Sequence, residues 1–501
     1  MRSNRQGTGH ERFTRPTMVG RLLLAAAVVA TGCGESSAPQ DGGGGAGGEN
    51  PPVGGDGGNG GDGGNGGEGG HGVDGGNGGA PEVRYTLSVT KTASPGLVRG
   101  GPIDCGTACS ADVEPGTEVV LTASEEEGYF FQGWGGACRG DELICTVVVD
   151  GPIDVTATFS PANRMFVTSG EYSVPAIKAA GTGSSDAERF LSGADKLCDD
   201  EAIAAGISDA TWRAYVSTSS TPAPSRMMGA RGWVRSDDLP VVDRLEPGDQ
   251  PIIPLFYAPN LDATGAEQNG FVITGTEPDG TSAPFNCDDF SSSDGMVDGG
   301  FAQSGGWRWT SDAGLECSGS SSGRLYCFQI DNTTALNFTP AKGRRAFRTA
   351  PVASGAVGLA AFDAACATAA DEAGFDGPFR ALVSTQSESA SSRFMDGDPW
   401  VRPDGVMLAS TAAELLAGEG LLATNDLHAN GDIDVDSGWI WTGAEAPNLV
   451  AEGDIDDCAG WSTATPGSTG WLGFSTDLDK QFGAELRPCD NAYTGVYCLE
   501  Q

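Results

Sequence analysis

Histidine is nearly missing from this chain, with three residues in 501, and only His428 stands beyond the first 80 positions. Catalysis by a Ser-His or Cys-His pair therefore has one possible base. No HExxH helix, no P-loop and no GxGxxG in a strand-helix-strand setting occurs, so the enzymes built on those motifs are excluded. The string GSSSG at 319–323 sits in a Ser-rich turn between Cys317 and Cys327, without the strand-to-helix context of a nucleophile elbow. CxxC pairs are also lacking among the 13 cysteines, which leaves thiolate metal sites without their usual spacing. Basic residues are few, 29 Lys and Arg against 68 Asp and Glu. A chain of net charge -39 repels phosphate backbones, which excludes a nucleic-acid partner.

Residues 1–21 carry five Arg and one Glu, and residues 22–30 (LLLAAAVVA) form an apolar stretch too short to span a bilayer. Thr31, Gly32 and Cys33 follow, which is the grammar of an export signal. The small-small-Cys ending resembles a bacterial lipoprotein signal, with Ala30 where that family usually has Leu. The resemblance implies cleavage after residue 32, lipidation of Cys33 and attachment to a membrane through the lipid alone. From Asp41 to Ala80 the text is GGN, GGD and GGE triplets that can bury nothing, so residues 33–80 are expected to be a disordered tether with a reach of about 40 Å.

Glycine, proline and aspartate punctuate four period-two apolar runs between 81 and 160, among them EVVLTAS from Glu118 and IDVTATF from Ile153. This spacing predicts a small all-β module. With IDCGTAC, GYFFQGWGGAC and VTATF in order, the segment resembles the cysteine-bearing bacterial surface repeat related to the internalin B-repeat. Its four cysteines allow three connectivities, of which Cys105 with Cys109 and Cys138 with Cys145 are the local ones. Trp134 and Phe131 are expected in the core.

The remainder is written twice. Cys198, Trp233 and Gly275 recur at Cys366, Trp400 and Gly443 with an offset of 167–168, and Cys287, Cys317 and Cys327 recur at Cys458, Cys489 and Cys498 with 171–172. WRAYVST from Trp212 is answered by FRALVST from Phe379, and SRMMGARGWVR from Ser225 by SRFMDGDPWVR from Ser392. Two copies of one domain are expected, at 161–335 and 344–501. Each is read as opening on a helix, the first with a capping box from Ser185 to Glu188, followed by a strand and then short strands in long loops, an α+β pattern. Joining the helix cysteine to the last strand closes nearly a whole copy, a constraint of roughly 4–5 kcal/mol. The expected bridges are therefore Cys198 with Cys327, Cys287 with Cys317, Cys366 with Cys498, and Cys458 with Cys489.

FDAACATAADEAGFDGPFRALVST from Phe362, GWIWTGAEAPN from Gly438, DDCAGW from Asp456 and CDNAYTGVYCLE from Cys489 resemble endostatin and its bacterial relatives in surface lipoproteins, the DUF1554 group. The resemblance spans 344–501 and, more weakly, 164–330. It implies a C-type lectin-like fold with the same nested bridges. Heparin binding is not carried over, because that activity needs clustered arginines, and these copies have 8 basic against 24 acidic residues and 11 against 23. The family's histidine zinc site has no counterpart either. Fragments of a lectin-type calcium site appear at Glu277, Pro278, Asp279 and Asp312, and at Glu445, Pro447, Asn448 and Asp456. A better cation candidate is DLHANGDIDVDS, where Asp426, Asn430, Asp432, Asp434 and Asp436 alternate as oxygen ligands for Ca²⁺ around a glycine. His428 and Ser437 stand where acidic ligands belong.

No cofactor is expected beyond that possible calcium. The expected protein is a non-enzymatic, lipid-anchored, extracytoplasmic component of a bacterial cell envelope that binds an extracellular protein or glycan. An acidic structural coat protein, or a carbohydrate-active hydrolase using Asp/Glu pairs, are the alternatives.

Overall fold

Period-two alternation between Tyr85 and Pro161 folds as written, into two four-stranded sheets around one core. One runs in the order Ser110–Val113, Tyr85–Lys91, Ile153–Pro161, Tyr129–Gly136, and the other Ile103–Asp104, Leu97–Gly100, Thr117–Ser124, Ile144–Val149. Leu87, Leu121, Phe131, Val155 and Phe159 fill the space between them. Trp134 packs edge-on to Phe131 at 5.0 Å and donates from Nε1 to the Glu142 carbonyl at 2.8 Å, so it belongs to that core. Cys105–Cys109 and Cys138–Cys145 are the bridges. The chain is seen here in a computed structural model that describes residues 82–501 apart from 93, 107, 127, 249, 353–357 and 436–437. Cys33, the leader and the tether lie outside the described residues.

Each repeated copy is small β sheets with few helices, an α+β arrangement. It opens on a strand, Asn163–Val167 or Arg344–Arg348, and not on the helix expected from the sequence. The strand is only five residues long, and its apolar signal is cut by arginines, so periodicity could not separate it from loop. It pairs antiparallel with the last strand, Tyr326–Gln329 or Tyr497–Glu500, and that strand in turn pairs with Trp212–Ala214 or Phe379–Ala381. First and last segments of a copy therefore lie side by side at its centre. A second, three-stranded sheet carries Phe271–Ile273, Met296–Phe301 and Ala313–Glu316, matched by Trp439–Trp441, Thr469–Phe474 and Glu485–Pro488.

The main helices, Asp186–Ala204 and Leu359–Ala373, lie against the first sheet. In the first, Ser185 accepts from the Glu188 amide while the Glu188 carboxylate reaches back, the reciprocal cap read from the sequence. The second starts at Gly358 without a side-chain cap and ends at Gly374 in the left-handed region. Cys198–Cys327 and Cys366–Cys498 tie helix to last strand across 129 and 132 residues, with Cys287–Cys317 and Cys458–Cys489 nested inside.

Both copies hold a left-handed turn, Cys287–Phe290 with φ of 57, 50, 53 and 60° and Cys458–Trp461 with 52, 56, 66 and 59°. Such backbone costs about 1–2 kcal/mol per non-glycine residue. Three things hold it in place. One residue of the turn is in the inner disulfide. The Asn286 or Asp457 side chain accepts from the amide three residues on. The turn's last residue drives an aromatic ring into the core, Phe290 stacked on Phe190 at 3.6 Å and Trp461 edge-on to Phe362 at 5.1 Å.

The closure of a copy by its outer bridge is testable. Replacing Cys366 and Cys498 together by serine should lower unfolding stability by about 2–5 kcal/mol, read as a fall in the urea midpoint of tryptophan fluorescence. An unchanged midpoint would mean that the bridge constrains nothing that hydrogen bonds do not already hold.

Candidate functional site at the seam between the copies

Arginine is the residue that builds the interior of both copies. Arg226 makes a two-oxygen pair with Asp195 at 2.7 and 2.8 Å, and Arg393 repeats it with Asp363 at 2.8 and 2.6 Å. Arg235 spans Asp237 and Asn260, while its counterpart Arg402 spans Asp404 and Asp426. The second set has one more carboxylate than the first. It is also the set that meets the other copy: Arg402 Nη2 donates to the Leu255 carbonyl at 3.0 Å.

Several further contacts make that seam. Arg308 of the first copy reaches Asp477 of the second at 3.1 Å, with the Asp477 side chain fully buried, and stacks over the Phe474 ring at 4.3 Å. The Gly305 amide donates to Thr476 O at 2.9 Å and the Leu478 amide to Gln303 O at 3.0 Å, a short backbone ladder across the seam. The Met407 amide donates to the Tyr257 hydroxyl at 3.2 Å, and the Tyr257 ring packs into the second copy's core. Side chains of the second copy crowd the first copy's backbone here: a Cβ on Gly305 would lie 2.4 Å from Thr424 Oγ1 and 3.2 Å from Asp426 Oδ2. Ser304 Oγ and Thr476 Oγ1 are buried here without a protein hydrogen-bond partner.

The loop expected to wrap calcium lies in this region, but its carboxylates do not converge. Asp426 turns inward to Arg402 at 3.1 Å, and burial, which the Arg402 charge opposes, pushes its carboxyl up to about 6. Asp434 turns to the fully buried Arg348 and to His428. Burial works against its charge, yet the His428 bond and the Arg348 guanidinium outweigh that and hold it well below the usual carboxylate range. Asn430 and Asp432 bond each other, and Asp436 lies outside the described residues. Among the described residues no group of three or more His, Cys, Asp or Glu could hold a metal ion. Two of the ligands expected for calcium, Asp426 and Asp434, thus face arginines distant in sequence.

The lectin-like fragments are engaged in a similar way. Asp279 accepts from Thr281, Asp312 pairs with Arg308 at 2.7 Å, and Asp456 accepts from the Glu452 amide at 2.8 Å. Burial, with the charge of Glu277 beside it, raises the Asp298 carboxyl to about 6.

Arg308, Asp477 and Arg348 were not singled out by sequence reasoning. One signal for Arg348 was present. Val167 and Arg348 occupy matching strand positions, their amides donating to Leu261 O and Leu427 O. In the first copy Gln268 Nε2 donates to Asp262 Oδ2 at 2.8 Å, and in the second His428 faces Asp434 with the acidic partner exchanged. A valine replaced by arginine in the same copy where the carboxylate moves inward is a compensated pair.

Above the seam opens a cleft with two lobes of about 310 and 540 Å³. Both copies line it: residues 250–256 on one side, and Arg402, Asp404 and the loop through Val435 on the other.

Residues 85–163 match the family described as the divergent InlB B-repeat domain, so the β module is similar to that repeat. No curated protein matches the chain.

Two outcomes test the seam. Arg308→Ala leaves Asp477 buried without its cation, which should weaken docking of the copies by about 3–5 kcal/mol, read as new proteolytic cleavage in 331–343. Continued protection of that linker would show that the pair does not hold the copies together. The loop's two carboxylates should also titrate with opposite sign. Asp426, raised from 3.8 to about 6, contributes stability present below pH 4 and lost as pH rises through 6. Asp434, depressed, contributes stability present above pH 4 and lost as pH falls below it. Asp426→Asn should flatten the decline between pH 4 and 6 and leave the acid limb in place, measured by thermal unfolding across pH.

Proposed function

We propose that this protein is a lipid-anchored, extracytoplasmic binding or adhesion protein of a bacterial cell envelope. Its two copies are endostatin-like domains of C-type lectin-like fold, carried on a B-repeat and held off the membrane by the glycine tether. Their ligand is an extracellular protein or carbohydrate, and the chain is not an enzyme. The observation that carries this reading is the seam. Arg308 on Asp477 and Arg402 on the Leu255 carbonyl fix the copies in one relation, and the loops around them form a single ordered face. The first copy and the linker that follows it are joined in turn to the B-repeat. The Ala162 amide donates to Gly128 O at 3.1 Å and Asn337 Nδ2 to Asp141 O at 3.0 Å, an arrangement suited to presenting that face at a distance from the anchor. The acidic balance of both copies argues against sulfated glycosaminoglycans as the ligand.

A glycan and matrix-protein array probed with the full chain, with and without calcium, tests the role. Saturable binding to one ligand class is expected, unchanged by calcium at the 426–435 loop. An array without any saturable partner would overturn the reading of the ligand as a glycan or matrix protein.

A further inference from the structure

The cleft between the copies has a composition unlike the rest of the surface, and we infer that it is a receptor groove for an extended, basic polypeptide segment of a partner protein. This inference rests on the binding role proposed above and assigns that role its site and ligand chemistry.

Three observations carry it. The first is shape. The two lobes share Gln250, Pro254, Leu255, Phe256 and Asp404 and so adjoin along one stretch of chain. A single small amine would fill one lobe only; successive side chains of an extended chain reach both.

The second is charge. The lining holds five carboxylates, Asp243, Glu246, Asp404, Asp426 and Asp432, against the guanidiniums of Arg244 and Arg402. Arg402 is consumed inside the wall by Asp404, Asp426 and two carbonyls, and Arg244 lies 3.1 Å from Glu246. Asp432 is exposed at the lip and takes its side-chain bond from the Asn430 amide, a neutral partner that leaves its charge in place. Asp243 is paired with Arg231 beside the lining, so five carboxylates face three guanidiniums and the charge left over is centred on Asp432.

The third is the floor. Ile253 and Leu255 are buried beneath it, Phe256 and Ile433 are half-buried along it, and Val435 stands 55% exposed at the edge. An apolar floor under an acidic lip is complementary to lysine and arginine, whose methylene stems lie along apolar surface while the cation reaches the carboxylates. The same charge excludes two other occupants: the chain's own tether, which carries Asp and Glu, and a second copy of a chain with net charge -39. The corresponding first-copy loop is closed on itself, with Asp262 accepting from Thr264, Ala266 and Gln268. The trough is thus a property of the pair and not of either copy alone.

The probe is a fluorescein-labelled peptide of alternating lysine and leucine, titrated into the full chain and read by anisotropy, with a glutamate-leucine peptide and free lysine as comparisons. Saturable binding of the lysine peptide alone is expected, and Asp432→Lys should weaken it by roughly tenfold. Asp112→Lys makes the same change of charge on the exposed face of the B-repeat and should leave the affinity within about twofold. Equal losses from both variants would mean diffuse attraction to an acidic surface and would overturn the groove. So would displacement by free lysine at equal concentration, or no saturable binding. An array partner found alongside a failed peptide titration would sink the groove and leave the binding role standing. Peptide binding at Asp432 alongside a blank array would uphold the groove and remove the wider protein-or-glycan reading.

Discussion

The structure of each copy depends on a closure: the last strand is laid between the first strand and the strand that follows the main helix, and the helix is bonded to it covalently. Once Cys198 and Cys327, or Cys366 and Cys498, are joined, nearly all the intervening chain must leave the central sheet and return to it. Long loops are then an outcome of topology and not of weak secondary structure. Their ordering falls to the inner disulfide, to the left-handed turn that plants Phe290 or Trp461 in the core, and to arginines placed under them. Backbone strain of several kcal/mol is tolerable at that turn because a covalent bond, a side-chain cap and a buried ring all fix the same four residues.

Arginine has an unusual part in this arrangement, because the chain is so acidic. A carboxylate taken out of water is stable only if it is met by a cation or by several donors. With 29 basic residues against 68 acidic ones, most carboxylates must remain solvated. The buried ones are therefore the exceptions that organise the interior: Asp434, Asp426 and Asp477 are met by Arg348, Arg402 and Arg308, while Asp262, Asp456 and Asp457 are held by backbone amides and neutral side-chain donors. Arginine suits this work because its planar fork can serve a carboxylate and a backbone carbonyl together, as Arg402 does with Asp404, Thr424 O and Leu255 O.

This assignment also explains what could be read in the sequence and what could not. Cysteines were legible because a bridge has fixed geometry and the copies repeat their spacing, and the Ser185 cap was legible because it acts over three residues. The opening strands Asn163–Val167 and Arg344–Arg348 were lost because five residues interrupted by arginine show no period. The 426–436 loop has the local pattern of a cation site, yet Asp426 and Asp434 within it face arginines. Oxygen spacing is a local property, whereas the cation that meets each carboxylate is set by the fold. Arg348 lies 86 residues from Asp434, and only alignment with the first copy, where Val167 stands in place of Arg348, marks one to the other. The Arg308–Asp477 pair, 169 residues apart, was hidden for the same reason.

From that follows the character of the seam. An apolar interface tolerates small slides, since dispersion and burial depend weakly on direction. One built on a buried ion pair, a two-bond backbone ladder and a guanidinium capped by a carbonyl has few alternative registers, because each shift leaves a buried polar group without its partner. The Ser304 and Thr476 hydroxyls, already without protein partners, show how little surplus hydrogen bonding there is to absorb a change. Duplication alone would yield two equal units on a string. Placing Asp426 where the first copy has Asn260, and Arg348 where it has Val167, made the second copy unequal to the first, and it is along this unequal side that the two copies dock and share a cleft.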